Sequence, residues 1–313
     1  MARRARVIHK KMKRLHDIVV PLVTPLREDD TIDIASLENL TNYLIDRGVD
    51  GLYPCGSTGE MVYLTNEERK LVVETVVRAA KGRVEVFAQV GAANTRDTIE
   101  LAQHAVSCGA DGIGVVTPWY FGISQNALVD FYQQVSRSVP DDFPVYLYCI
   151  PQNAVNDLLP DTVRQIAGSG KNVVGIKYSF ADMTRLQQYI TAVSGDFGVL
   201  VGPDHLYVMA AAVGATGTVS GNAQILPRYY TAMRDAMAAN DWKKAAQLQH
   251  ATNILSSILC KENNIGCYKA VLKEQGVIAC ARMRSPMEDV SAEKTQALLH
   301  ALRAAGYTDL PQH

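Results

Sequence analysis

Eight times between residues 18 and 239, a short β-rich run is followed by a longer stretch with helical spacing. The runs fall at residues 18–23, 51–54, 84–89, 113–116, 145–148, 173–177, 199–201 and 216–220. The helical stretches fall at 34–47, 65–80, 95–107, 125–138, 161–167, 182–193, 206–212 and 224–239. Strands that alternate with helices predict a parallel sheet, because each crossover must return to the same end of the sheet. Eight units in this length predict an α/β fold of the (β/α)8 TIM-barrel type. A doubly wound sheet is the rival, but no G-x-G-x-x-G follows the first run. Local signals agree with the alternation. Thr65 with Glu68 three residues on reads as a capping box, and Gly48, Gly82 and Gly109 stop their helices.

After Asn240 the pattern changes. Three helices are expected, near 242–260, 265–273 and 291–304, with no strand-like run among them. The chain therefore divides into a basic extension at 1–16, expected to be disordered, a barrel at 17–240 and a C-terminal helical region at 241–313. The first 14 residues hold seven Lys and Arg and no acid; the rest has 24 basic against 32 acidic residues, a charge of −8. A basic arm of this kind fits a nucleic-acid contact or a weak transit signal, but the simpler expectation is a free extension. The overall charge of −1 gives no reason to expect a nucleic-acid or membrane surface. Cys55, Cys108, Cys149, Cys260, Cys267 and Cys280 form no C-x-x-C pair and, with seven histidines, no zinc spacing. No metal is expected, and a reducing, cytoplasmic setting is the default.

One charge is out of place. Lys177 ends the apolar run Val173-Val174-Gly175-Ile176. A lysine at a strand end also reads as a snorkelling side chain with its amine in water. In a barrel, however, chemistry gathers at the C-terminal ends of the strands. That rule brings Lys177 together with Gly56-Ser57-Thr58-Gly59-Glu60 after strand two, Trp119-Tyr120 after strand four and Tyr148-Cys149-Ile150-Pro151 after strand five. It adds Gly202-Pro203-Asp204-His205 after strand seven and Ser220-Gly221-Asn222 after strand eight. Two glycines around two hydroxyls make an anion seat or an ordinary turn. Tyr148 and Tyr146 share one strand face, and each is either a packed ring or a working phenol. As a set they make chemical sense. Desolvation favours a neutral lysine amine, and a neutral amine attacks a ketone to give a Schiff base. A phenol can carry the protons, and the seat can hold the carboxylate of a 2-oxo acid.

At these residues the chain resembles the N-acetylneuraminate lyase/dihydrodipicolinate synthase superfamily of pyruvate-dependent class I aldolases. The resemblance covers residues 17–304 and rests on Gly56-Ser57-Thr58-Gly59-Glu60, Tyr148-x-x-Pro151 and Gly175-Ile176-Lys177 in that order. It implies that Lys177 forms the imine with pyruvate, that Tyr148 donates and accepts protons, and that Ser57 relays them to Tyr120 of a neighbouring subunit. Thr58 and Gly59 would hold the carboxylate, and Val219 would line the pyruvate pocket. Ser179, Gly202, Asp204, His205 and Ser220 would meet a hydroxylated tail. No cofactor is implied beyond the covalent imine, and the family is typically a homotetramer.

The departures bear on the substrate. Cys149 stands where the family usually has asparagine, and Asn153 where dihydrodipicolinate synthases place an arginine for the second substrate's carboxylate. An amide does not replace a bidentate guanidinium. His205 follows Asp204 where sialic acid lyases have an acid. The expected activity is therefore cleavage or formation of a 2-keto-3-deoxy sugar acid or a similar hydroxylated 2-oxo acid. Condensation of pyruvate with aspartate semialdehyde comes second, beside dehydration of a deoxy sugar acid. A catalytically silent ligand-binding barrel is the reading from another class.

Overall fold

Thr65 caps its helix as its spacing predicts: the Glu68 N–H donates to Thr65 Oγ1 at 3.2 Å, and the Thr65 N–H donates to Glu68 Oε2 at 2.8 Å. Similar local rules place the other helices. Asp33, Asn94, Ser124, Asp182 and Ser291 each accept from a first-turn N–H, and Pro160 and Pro227 open helices where a missing N–H costs nothing. The computed structural model describes residues 12–259 and 264–310.

The elements run β1 (Asp17–Val20), α1 (Ile34–Asp46), β2 (Gly51–Leu52), α2 (Asn66–Ala80), β3 (Glu85–Gln89), α3 (Thr95–Ser107), β4 (Gly112–Val116) and α4 (Gln125–Arg137). They continue with β5 (Val145–Cys149), α5 (Pro151–Ala154), α6 (Pro160–Ser169), β6 (Val173–Tyr178), α7 (Met183–Ala192), β7 (Gly198–Val201), α8 (Tyr207–Ala212), β8 (Gly217–Val219) and α9 (Pro227–Ala238). Then come α10 (Trp242–Leu259), α11 (Asn264–Glu274) and α12 (Ala292–Ala304). The strands pair in sequence order, all parallel, and β8 closes on β1. The fold is a (β/α)8 TIM barrel with a C-terminal helical part.

The barrel interior is filled by setting a large ring against a glycine one or two strands on. A Cβ on Gly112 would sit 2.3 Å from the Phe87 ring, one on Gly114 1.7 Å from the Tyr53 hydroxyl, and one on Gly175 2.3 Å from the Tyr146 ring. Leu15, Val19, Leu200 and Val219 complete this inner cluster. The other strand face packs on the helices in one large apolar layer.

Three expectations change. The basic extension does not run to residue 16. Leu15 is buried in the inner cluster, its N–H donates to the Tyr146 hydroxyl at 3.1 Å, and Lys13 pairs with Asp111 at 2.6 Å and Glu85 at 3.0 Å. Residues 12–16 thus close the N-terminal end of the barrel, because an apolar plug and two acids await them there. Residues 1–11 lie outside the described residues. The helix expected at 224–239 begins at Pro227, behind a short 3-10 turn at Asn222–Gln224, and β2 keeps only two residues before the chain turns into its loop.

Candidate active site

Strand alternation decides which residues reach the mouth. On β5 and β6, Tyr146 pairs with Gly175 and Tyr148 with Lys177, so both catalytic candidates lie on adjacent strands, one layer above the Tyr146–Gly175 contact. Lys177 is 4% exposed. Its Nζ lies 4.0 Å from the centre of the Tyr148 ring and 5.0 Å from that of Tyr53. Among the described residues no carboxylate pairs with it. Each ring face offers its quadrupole to the amine, a weaker partner than an acid.

The Tyr148 hydroxyl lies 3.3 Å from Ser57 Oγ. Ser57–Gly59 forms a single 3-10 turn, expected from the sequence only as a tight glycine loop. The first N–H groups of such a turn have no internal acceptor, so they and the Ser57 and Thr58 hydroxyls can receive a carboxylate. Gly59 is needed beneath: a Cβ there would come 3.1 Å from the Leu22 carbonyl oxygen, and its own carbonyl accepts from Thr24 Oγ1 at 2.8 Å. Glu60 ends the turn in the left-handed region, at φ 58°.

A cavity of about 450 Å³ opens over these groups. Of the sequence candidates, Ser57, Thr58, Tyr148, Lys177, Ser179, Gly202, Asp204, His205 and Val219 line it. Gly202 allows a close crossing, since a Cβ there would fall 2.0 Å from Ser179 Oγ.

Four candidates stand outside the wall. Gly59 supports the seat from below. Ser220 is fully buried and donates to Asp204 Oδ1, which also accepts from the Tyr230 hydroxyl at 3.2 Å and the Asn222 N–H at 3.4 Å. Burial raises the Asp204 carboxyl above its usual range, against these donors. Ser220 thus satisfies a buried carboxylate instead of facing a ligand, a correction to the expected tail contact. Asn153 is exposed; its neighbour Gln152 lines the cavity and donates to the Ser179 carbonyl at 2.7 Å. Tyr120 is 77% exposed, stacks edge-on against Phe121, and holds φ 82°, an uncommon conformation for a bulky residue.

The departure at Cys149 does not touch the cavity. Its side chain lies on the opposite strand face from Tyr148 and donates to Asp157 Oδ1 at 3.3 Å, and burial pushes the thiol up to about 12. Sequence reasoning missed Ile150, Phe180, Asn264 and Tyr268 in the lining. Ile150 and Phe180 carry no chemical signal. Asn264 and Tyr268 come from α11, about 90 residues beyond Lys177, and only the packing of the C-terminal helices brings them in.

A TIM barrel with a lysine at the mouth, beside a phenol and an anion seat, has the parts of a Schiff-base aldolase. The comparisons make this specific. The dihydrodipicolinate synthetase family matches residues 14–305, and the chain belongs to that family. A 4-hydroxy-tetrahydrodipicolinate synthase of Brucella suis is 33% identical over 288 residues, 92% of this chain and 97% of the relative. A prophage protein of the same family from E. coli K12, solved in complex with pyruvate, superposes with TM-score 0.89 at 29% identity, covering 94% of this chain and 99% of that one. The sialic acid aldolase of Ruminococcus gnavus superposes with TM-score 0.88 at 27% identity, covering 95% and 97%. The protein is a pyruvate-dependent class I aldolase of this superfamily, a carbon–carbon lyase in reaction type. No helix among the described residues is long and apolar enough to cross a membrane.

Proposed function

We propose that Lys177 forms an imine with the keto carbon of a 2-oxo acid and that the enzyme makes or breaks the carbon–carbon bond next to C3. The observation that carries this reading is the buried amine of Lys177, without a carboxylate partner among the described residues and 4.0 Å from the ring of Tyr148. In this reading the amine attacks C2, water leaves, and the protonated imine becomes an electron sink. In cleavage, Tyr148 takes the proton of the C4 hydroxyl, the C3–C4 bond breaks, and its electron pair moves into an enamine. Protonation at C3 and hydrolysis of the imine then release pyruvate. Ser57 links Tyr148 toward Tyr120 of a second copy, and Thr58 with the Ser57–Gly59 turn holds the carboxylate. Val219 packs beside it.

For the second half of the substrate, we favour a hydroxylated tail without a carboxylate, as in a 2-keto-3-deoxy sugar acid. The wall beyond Lys177 offers Gln152, Ser179, Asp204, His205 and Asn264 and, among the described residues, no arginine. A site without a guanidinium fork is a poor clamp for a second carboxylate. The names of the curated relatives favour the other reading, condensation of pyruvate with aspartate semialdehyde, the reverse use of the same enamine. The exposed Tyr120, Phe121, Val62 and Tyr63 suit contact between copies, in a homotetramer working without metal in the cytoplasm.

A panel of 2-keto-3-deoxy acids with pyruvate release as readout, run beside a reductase-coupled assay with aspartate semialdehyde, tests the choice. Turnover of a neutral-tailed acid with negligible coupled rate is expected. Rapid condensation at saturating pyruvate with no cleavage of the panel assigns the synthase instead.

A further inference from the structure

The carboxylate seat is tied to the C-terminal helices by a second buried lysine. Lys269 on α11 is fully buried and pairs with Glu60 at 2.5 Å; Glu60 is 2% exposed. The Lys269 ammonium also donates to the Arg282 carbonyl at 2.7 Å, and Glu60 Oε2 accepts from the Arg284 N–H at 2.8 Å. The Arg284 guanidinium pairs with Glu68 at 2.6 Å, on the first turn of the helix that follows the seat. Glu60 is therefore held both by a helix and by the loop at 282–284.

The residue before Lys269 reaches the mouth at β8, which lies just across β1 from the loop after β2. Tyr268 lines the cavity and donates to Asn222 Oδ1 at 2.8 Å, just beyond β8. Its ring lies where a Cβ on Gly221 would come within 3.2 Å. Two successive residues of one helix thus grip the loop after β2 and the end of β8. Glu60 directly follows Gly59, so its backbone, at φ 58°, fixes where the 3-10 turn ends and where the first N–H groups of Ser57 and Thr58 aim.

We infer that Glu60 and Lys269 are positioning residues: the pair is the brace by which the C-terminal helices hold the Ser57–Gly59 turn in register with Lys177. This rests on the reading of that turn as the seat of the 2-oxo acid carboxylate. Neither side chain lines the cavity or touches the reacting atoms. Their effect is on where the carboxylate sits relative to the amine, and a shift on the order of 1 Å in such a contact costs about 100-fold.

The test uses the full chain and pyruvate, with borohydride trapping on Lys177 measured against pyruvate concentration, kcat and KM with the best substrate of the panel, and thermal melting. The variants are Lys269→Met, Glu60→Gln and the double variant. Lys269→Met leaves a buried carboxylate unpaired and is expected to melt early; the double variant removes both charges and should recover most of that loss. The brace predicts that the double variant still needs about 10- to 100-fold more pyruvate for half-saturation. Trapping at saturation should remain on Lys177, and KM should change more than kcat. Glu60→Gln should fall between it and the wild type. Wild-type half-saturation in the folded variants, with only the melting temperature changed, overturns the inference and leaves the proposed function standing. A wild-type protein that traps no pyruvate at any concentration overturns both.

Discussion

Among the described residues two lysines are buried, and their surroundings are opposite. Lys269 sits between α11 and the loop after β2, with a carboxylate at 2.5 Å and a carbonyl at 2.7 Å. Burial still lowers its pKa, against the pull of Glu60. Lys177 sits at the mouth of the barrel with aromatic faces at 4.0 and 5.0 Å and no acid among the described residues. A buried cation paired with a carboxylate is a structural element, since removing either partner strands a charge. A buried amine facing rings and an open cavity has no such commitment. In the proposed mechanism it is the group that attacks the carbonyl and carries the substrate.

The sharpest way to break this contrast is to remove each amine in turn. Lys177→Ala should abolish turnover and adduct formation with no loss of melting temperature, because no ion pair is broken. Tyr148→Phe should lower kcat by about 10²- to 10⁴-fold, the usual contribution of a general acid or base, while borohydride still traps pyruvate on Lys177. Lys269→Met should lower stability by about 3–5 kcal/mol in denaturant titration, the usual cost of breaking a buried pair from one side. Gly114→Ala should cost about 1–3 kcal/mol, since its Cβ falls on the Tyr53 hydroxyl and the inner layer has to shift. Thr65→Ala should cost about 1 kcal/mol through loss of the capping box. A larger loss of stability from Lys177→Ala than from Lys269→Met would reverse the assignment of the two roles.

The barrel was legible because its signals are local. Apolar runs, glycine stops and capping boxes each act within about a turn of helix or a strand, and eight repeats of them leave little choice of topology. The lysine, the phenol and the Gly56–Glu60 loop were legible because each stands at the C-terminal end of a strand. What sequence could not carry is long-range. In the sequence Glu60 is only the last residue of the loop, with no sign of its partner on α11. Ser220 sits where a ligand contact is expected, yet it lies behind the cavity wall and donates to Asp204, because a buried carboxylate needs donors. Leu15 was hidden inside a basic stretch, and only the open end of the barrel shows why an apolar residue is there. The substrate reading stays divided for a related reason. The names of the relatives speak for condensation with aspartate semialdehyde, whereas the absence of an arginine among the described residues of the cavity wall speaks for the proposed neutral tail.

The central claim is that one lysine, and not the other, is the nucleophile. Wild-type protein incubated with pyruvate and reduced with borohydride, then digested and mapped by mass, tests it directly. The account predicts a single reduced pyruvyl adduct on the peptide carrying Lys177 and none on the peptide carrying Lys269. No adduct, or an adduct on any other lysine, would contradict it.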